Sequence, residues 1–218
     1  MEKKKAWVQA AIDVDDMDLA VAIGKMALDC GAEWLEVGTP LIYRYGHDAI
    51  GMLRRALGPT ATLVADYKFF VPMACLHQAE EQGADYAVFE AGYQEELIKI
   101  TMQMCRDLRV KPIFCFNVHP ADYTYYADLY SDMGVEYFFS HHYYTVRDKV
   151  TREMTTYDNC ASFNACKNPI KYCITNDVFD TVPASVKAGA DWITFGTAIH
   201  TPDYEACKKW VDMIHNAR

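Results

Sequence analysis

The chain has 218 residues, 51% of them hydrophobic and 23% charged, with a formal charge of −9 at pH 7. This composition belongs to a folded globular chain with ample length for a core and excludes intrinsic disorder. The acidic excess lacks the basic footprint that grips a phosphate backbone, and no apolar run approaches the ~18–20 residues that span a bilayer, so neither nucleic acid nor membrane is an expected partner.

At the N-terminus, Lys3, Lys4 and Lys5 form the only basic run and read as a solvated chain end. The apolar stretch that follows is broken by Gln9 and closed by Asp13, Asp15 and Asp16, so no secretory segment is recognisable. Eight cysteines in that context point to a reducing, cytoplasmic setting with thiols acting mainly as core fillers. There is no Cys-x-x-Cys, and Cys160 with Cys166 lacks zinc-ligand spacing.

Along the chain, a strand over Trp7–Asp13 is followed by helical spacing at Leu19, Ala22, Ile23, Met26 and Ala27. Gly31-Ala-Glu-Trp-Leu-Glu-Val-Gly then opens a pattern of glycine, small or branched residue, acid, aromatic and apolar run. It recurs at Gly83-Ala-Asp-Tyr, Gly134-Val-Glu-Tyr and Gly189-Ala-Asp-Trp, with glycines 52, 51 and 55 residues apart. Each glycine reads as the left-handed stop of a helix just before a strand. Further strands are expected at Thr62–Lys68, Pro112–Val118 and Ile170–Thr175. A helix is expected through Leu97, Ile100, Thr101, Met104 and Leu108. Tyr123, Tyr125, Tyr126 and Tyr130 read as helix packing, since no basic residues interleave them for base stacking. The sixth unit, Arg152 to Asn168, has the poorest helical pattern.

Eight strands, two per repeat of ~50 residues and alternating with helices, imply parallel pairing. No linker divides the chain, so residues 1–218 read as a single domain, a (β/α)8 TIM barrel. A doubly wound sheet is the alternative, but no Gly-x-Gly-x-x-Gly follows the first strand.

In such barrels chemistry sits at the C-terminal ends of the strands. Those ends carry Asp13, Glu36, Asp66 with Lys68, Glu90, Asn117, His141 with His142, Thr175 and Gly196. Asp66 and Lys68 share a strand face, so they either form an ion pair or divide the work of holding a cation and donating a hydrogen bond. Glu36 and Asp66, from neighbouring strands, could hold a hard divalent ion such as Mg²⁺, which needs only one or two carboxylates, or could belong to a charge network closing the barrel mouth. His141 and His142 are adjacent on a strand, so only one faces the mouth.

These residues resemble a known group. Ala-Ile-Asp13, Glu36-Val-Gly-Thr-Pro-Leu-Ile, Ala-Asp66-Tyr-Lys68, His141 and Phe-Gly196-Thr-Ala-Ile, in order along the whole chain, are similar to the orotidine-monophosphate decarboxylase superfamily. The branch most resembled is hexulose-6-phosphate synthase and 3-keto-L-gulonate-6-phosphate decarboxylase. The resemblance implies a homodimer of barrels and a Mg²⁺-stabilised enediolate formed as a carbon–carbon bond breaks or forms. By position it implies Glu36 and Asp66 as metal ligands, Asp13 and Lys68 at the substrate and its oxyanion, and His141 in proton transfer.

Four positions depart from that pattern. The motif Asp-x-Lys-x-x-Asp ends here in Val71, so the aspartate that reaches the partner's site in the relatives is missing. The strand-five acid falls on Asn117, which hydrogen-bonds but is no base at neutral pH. The Gly-Gly phosphate turn reads Asn176-Asp177, and the arginine after Gly196 is Thr197. A like charge at ~4 Å and an effective dielectric of ~20 costs roughly 4 kcal/mol, so Asp177 facing a phosphate would oppose its binding. With Asp177 turned outward, Thr175, Asn176, Gly196 and Thr197 could still bind substrate there.

The expected activity is a Mg²⁺-dependent lyase, an aldolase or decarboxylase, acting on a sugar phosphate or on an unphosphorylated sugar or sugar acid. An epimerase or isomerase could use the same enediolate, and a sugar-binding barrel without catalysis would follow from the four departures. The segment Thr145–Lys149 is a candidate for closing over the ligand.

Overall fold

The structure is a computed structural model that describes residues 5–69, 72–90, 95–116, 122–140, 159–175 and 178–217. Eight parallel strands close into one barrel in sequence order, β8 pairing back onto β1. The order is β1 (Trp7–Ile12), α1 (Met17–Cys30), β2 (Trp34–Val37), α2 (Thr39–Tyr45), α3 (Asp48–Leu57), β3 (Thr62–Phe69), α4 (Pro72–Glu81), β4 (Tyr86–Glu90), α5 (Glu95–Asp107) and β5 (Lys111–Phe116). It continues with α6 (Tyr123–Asp132), β6 (Tyr137–Ser140), a helix α7 described over 159–164, β7 (Lys171–Thr175), α8 (Val182–Lys187), β8 (Trp192–Phe195) and α9 (Tyr204–Asn216). The (β/α)8 expectation therefore stands, with two helices rather than one after β2.

The four-fold repeat encodes the barrel floor. Gly31, Gly83, Gly134 and Gly189 all take positive φ, between +87° and +116°, a region that other residues enter only at a cost. In each, the next residue's N–H reaches a carbonyl five residues back, as in Ala32 to Ala27 (2.9 Å) and Ala84 to Ala79 (2.8 Å), which ends the helix in a tight left-handed turn. The acid then ties down the preceding strand. Glu33 accepts the N–H of Val8 (2.9 Å), Asp85 that of Leu63 (2.8 Å) and Asp191 that of Tyr172 (3.1 Å), each the second residue of β1, β3 and β7. The fourth acid, Glu136, faces β5, whose second residue is Pro112, which has no N–H to give.

The repeat's aromatics, Trp34, Tyr86, Tyr137 and Trp192, open the four even strands and point into the barrel. Trp34 stacks on Tyr86 with centroids 4.5 Å apart and packs 5.1 Å from Trp192, so alternate strands supply one layer of the barrel filling. Above it, Val64, Val88, Ile113, Cys115, Phe139 and Cys173 continue the lumen. The opposite strand faces, such as Val8, Leu35, Tyr67 and Phe114, meet the helices in a second core.

Two helical faces differ from the sequence pattern. On α1 the buried residues are Met17, Ala20, Ile23, Gly24, Ala27 and Cys30, whereas Leu19 and Met26 are half-buried and Ala22 is exposed. On α5 the buried pair is Ile98 and Thr101, while Leu97, Ile100, Met104 and Leu108 are half-buried. In α6, Tyr123 and Tyr130 are buried as expected, but Tyr125 is 64% exposed. Six of the eight cysteines are buried, and all eight are free. No described helix is long and apolar enough to cross a membrane.

Candidate active site

The C-terminal mouth of the barrel holds a cavity of about 420 Å³. It is lined by Asp13, Glu36, Thr39 and Lys68 together with Thr175, Thr194, Gly196, Thr197 and His200. Strand alternation accounts for this set. Glu36 lies two residues beyond the floor residue Trp34, and Thr194 two beyond Trp192, so both point inward.

Asp13 follows β1 and is wedged between two glycines. A Cβ on Gly38 would lie 2.3 Å from Asp13 Oδ1 and 2.4 Å from the Ile12 carbonyl, and one on Gly196 would lie 3.3 Å from Asp13 Oδ2. Only glycine allows β2 to pass this close to the carboxylate, which explains the Gly in Glu36-Val-Gly-Thr-Pro.

Glu36 is 4% exposed and Asp66 is 1% exposed. The Gln9 amide, from β1, donates to Glu36 Oε2 at 2.5 Å. Burial first, then the negative charges of Asp66 and Asp13, push the Glu36 carboxyl well above the usual range, against the pull of Lys68. Glu36 and Asp66 come from the paired strands β2 and β3, close enough for the Asp66 charge to act on the Glu36 carboxyl. Like charges in a buried site favour either a proton or a cation between them.

The Asp66 oxygens are unequal. Oδ2 receives the Lys68 ammonium at 2.8 Å and the Thr39 hydroxyl at 3.0 Å. Oδ1 is buried with no N–H or hydroxyl donor among the described residues. Lys68 reaches Asp66 through a break in register between Asp66 and Phe69, with Lys68 itself at φ +50°, an unusual conformation for a side-chain-bearing residue. Tyr67 between them points outward, fully buried, its hydroxyl 2.8 Å from His47 Nδ1. Burial opposes the Lys68 charge, but Asp66 and Glu36 outweigh it and hold the ammonium well above its ordinary range.

Of the residues expected from sequence, Asp13, Glu36, Lys68, Thr175, Gly196 and Thr197 line this one cavity, and Asp66 adjoins it through Lys68. Glu90 ends β4 half-buried and is not among the lining residues. Val71, Asn117, His141, His142, Asn176, Asp177 and the segment Thr145–Lys149 lie outside the described residues. The structure adds Thr39, Thr194 and His200, which the sequence reading had not singled out. Thr39 lay in a quoted motif, but its contact depends on β2–β3 register. The signal for His200 is its place just after the short 3₁₀ turn Thr197–Ile199 that follows β8. The Thr175 hydroxyl, like Asp66 Oδ1, is buried without a partner among the described residues.

The donor set fits a hard divalent cation. Among the described residues no group of three or more His, Cys, Asp or Glu converges, but Mg²⁺ commonly takes one or two carboxylates and completes its shell with water and ligand oxygens. Glu36 with the bare oxygen of Asp66 is a pair of that kind.

No protein-family profile and no curated protein sequence matches the chain. Solved structures do. The chain superposes on 3-hexulose-6-phosphate synthase from Salmonella typhimurium with TM-score 0.77 at 17% identity, covering 96% of this chain and all of that one. KGPDC from Streptococcus mutans gives 0.79 at 15% identity over 96% and 97% of the two chains. Orotidine 5'-phosphate decarboxylase from Pyrococcus horikoshii gives 0.68 at 22% over 95% and 98%. The chain therefore shares its (β/α)8 fold with these enzymes, the group its motifs resemble.

Proposed function

We propose that the chain is a divalent-cation-dependent carbon–carbon lyase, an aldolase or decarboxylase, acting on a sugar phosphate or a related sugar or sugar acid. The observation that carries this reading is the division of Asp66, with Oδ2 satisfied by protein donors and Oδ1 left bare and buried, one strand away from the cavity-lining Glu36. The shared fold with synthases and decarboxylases of sugar phosphates supports it.

Glu36 and Asp66 would hold Mg²⁺, which would supply positive charge to stabilise negative charge developing on the substrate. Lys68, kept charged by two acids, is a fixed donor to an oxyanion at the same edge of the cavity. Asp13, held between Gly38 and Gly196, can accept hydrogen bonds from substrate hydroxyls. Thr175, Thr197 and His200 also line the cavity and would offer hydroxyl and imidazole groups to the ligand.

The test is a panel of ketose phosphates and keto sugar acids assayed for aldehyde or CO₂ release with and without Mg²⁺. Glu36→Gln and Asp66→Asn should each lower kcat/KM by about 10²–10³-fold or more. His200→Ala should raise KM with kcat little changed, the signature of lost uniform binding. Metal-independent turnover that survives both carboxylate changes would refute the proposal. Solvent deuterium entering recovered substrate without product release would mark an isomerase instead.

A further inference from the structure

We infer that Thr39 is a positioning residue that commits one oxygen of Asp66 to the protein and leaves the other for the cation. The inference rests on the cation reading above and concerns a side chain outside the ligand pair. A carboxylate's two oxygens are chemically equivalent, and rotation about the Cβ–Cγ bond could present either of them, or both, to Lys68. Here both donors converge on Oδ2, the Lys68 ammonium at 2.8 Å and the Thr39 hydroxyl at 3.0 Å. The two approach from different elements, Lys68 from the bulged end of β3 and Thr39 from the first residue of α2.

Thr39 Oγ1 also lies 3.3 Å from the Asp66 carbonyl oxygen, so the hydroxyl is registered to the backbone of β3 as well as to the side chain. A lysine on a flexible stem could follow a rotating carboxylate. A β-branched residue at the start of a helix has few rotamers and cannot. Thr39 is therefore the contact that fixes the carboxylate plane, and Oδ1 is left buried and unsatisfied. Orienting partners of this kind, one bond removed from the metal, commonly change affinity by ten- to a hundredfold.

The experiment is a Mn²⁺ titration of the full-length, metal-stripped protein, followed by electron paramagnetic resonance, so that no turnover is needed. Thr39→Val keeps the shape and removes the donor; Thr39→Ser keeps the donor and removes the methyl group. Mn²⁺ affinity should fall about tenfold or more in Thr39→Val and stay within about threefold of wild type in Thr39→Ser, while both variants melt near the wild-type temperature. Equal affinity in Thr39→Val and wild type overturns this inference alone, as does equal weakening in both variants, which would assign the effect to shape. No Mn²⁺ uptake by the wild type overturns it together with the cation reading.

Discussion

Lys68 Nζ lies 2.8 Å from Oδ2 of Asp66, its neighbour two residues back, because a β-bulge turns Lys68 to φ +50° at the mouth of the barrel. The acid is almost fully buried and the lysine only partly so, which makes the pair asymmetric. Removing the lysine would leave two buried acids, Glu36 and Asp66, on paired strands without a compensating charge. Lys68→Met should therefore destabilise the protein by about 2–3 kcal/mol, less than for a fully enclosed pair because water reaches the ammonium. Saturating Mg²⁺ should restore part of this loss by supplying the missing positive charge. Urea denaturation with and without Mg²⁺ measures both effects, and a variant as stable as wild type without metal would contradict this account of the pair.

The repeat that fixed the barrel floor gives a contrast between two acids in equivalent positions. Asp85 accepts from the Leu63 N–H and from Arg54, which also donates to the Gly83 carbonyl, so it joins α3, β3 and the turn before β4. Glu136 occupies the same place in its repeat but is exposed and faces Pro112. Asp85→Ala should cost about 2 kcal/mol, the range for a charged hydrogen-bond acceptor with a half-buried partner, and Glu136→Ala about 0.5 kcal/mol or less. Thermal melts of the two single variants decide it; similar losses in both would mean that the acid acts through something other than the strand N–H.

The repeat was legible in sequence because its parts are local. A glycine that must take positive φ, an acid two residues later and an inward aromatic need no knowledge of distant partners. Asp13, Glu36, Asp66 and Lys68 were legible for a related reason, since strand alternation and the strand's end locate them. The face of α1 was legible only in part. The expected Ile23 and Ala27 are buried, and Leu19 and Met26 pack at the core's edge, but the tightest packing also uses Ala20 and Gly24, where a Cβ would come within 2.9 Å of Leu57 on α3. The hydrogen bonds of Thr39 to Asp66 and of Gln9 to Glu36 were also illegible, because both depend on the register between neighbouring strands once the barrel closes.

At the opposite end of the barrel, Glu33 binds the Val8 N–H, the Lys5 ammonium (3.1 Å) and His215 (3.2 Å). Burial raises its carboxyl, but the hydrogen bonds from His215, Val8 and Lys5 outweigh that and hold it below the ordinary carboxylate range. A depressed folded-state value means that the ionised form stabilises the fold. The contribution is complete above the unfolded carboxylate value of ~4.3 and disappears as pH falls through the lower folded value. Glu33→Gln should therefore be about 1 kcal/mol less stable than wild type at pH 7, with the gap narrowing as acidification protonates Glu33. Urea titrations across that range test the sign, and a gap that widens on acidification would reverse it.

Gly38 and Gly196 flank the same carboxylate at different clearances, which grades the effect of adding one methyl group to each. At Gly38 the new Cβ would meet Asp13 Oδ1 at 2.3 Å and the Ile12 backbone oxygen at 2.4 Å, and the latter cannot swing aside. At Gly196 the nearest atoms are Ala11 Cβ at 3.2 Å and Asp13 Oδ2 at 3.3 Å, distances that a shift of a few tenths of an ångström relieves. Overpacking against backbone typically costs about 1–3 kcal/mol. Gly38→Ala should fall in that range and, by displacing Asp13, lower ligand affinity or turnover by at least tenfold. Gly196→Ala should lose less than about 1 kcal/mol and retain most function. Parallel melts and activity measurements on the two variants test the ordering. A harmless Gly38→Ala would mean that β1 and β2 separate easily at the mouth and that Asp13 is not held by their approach.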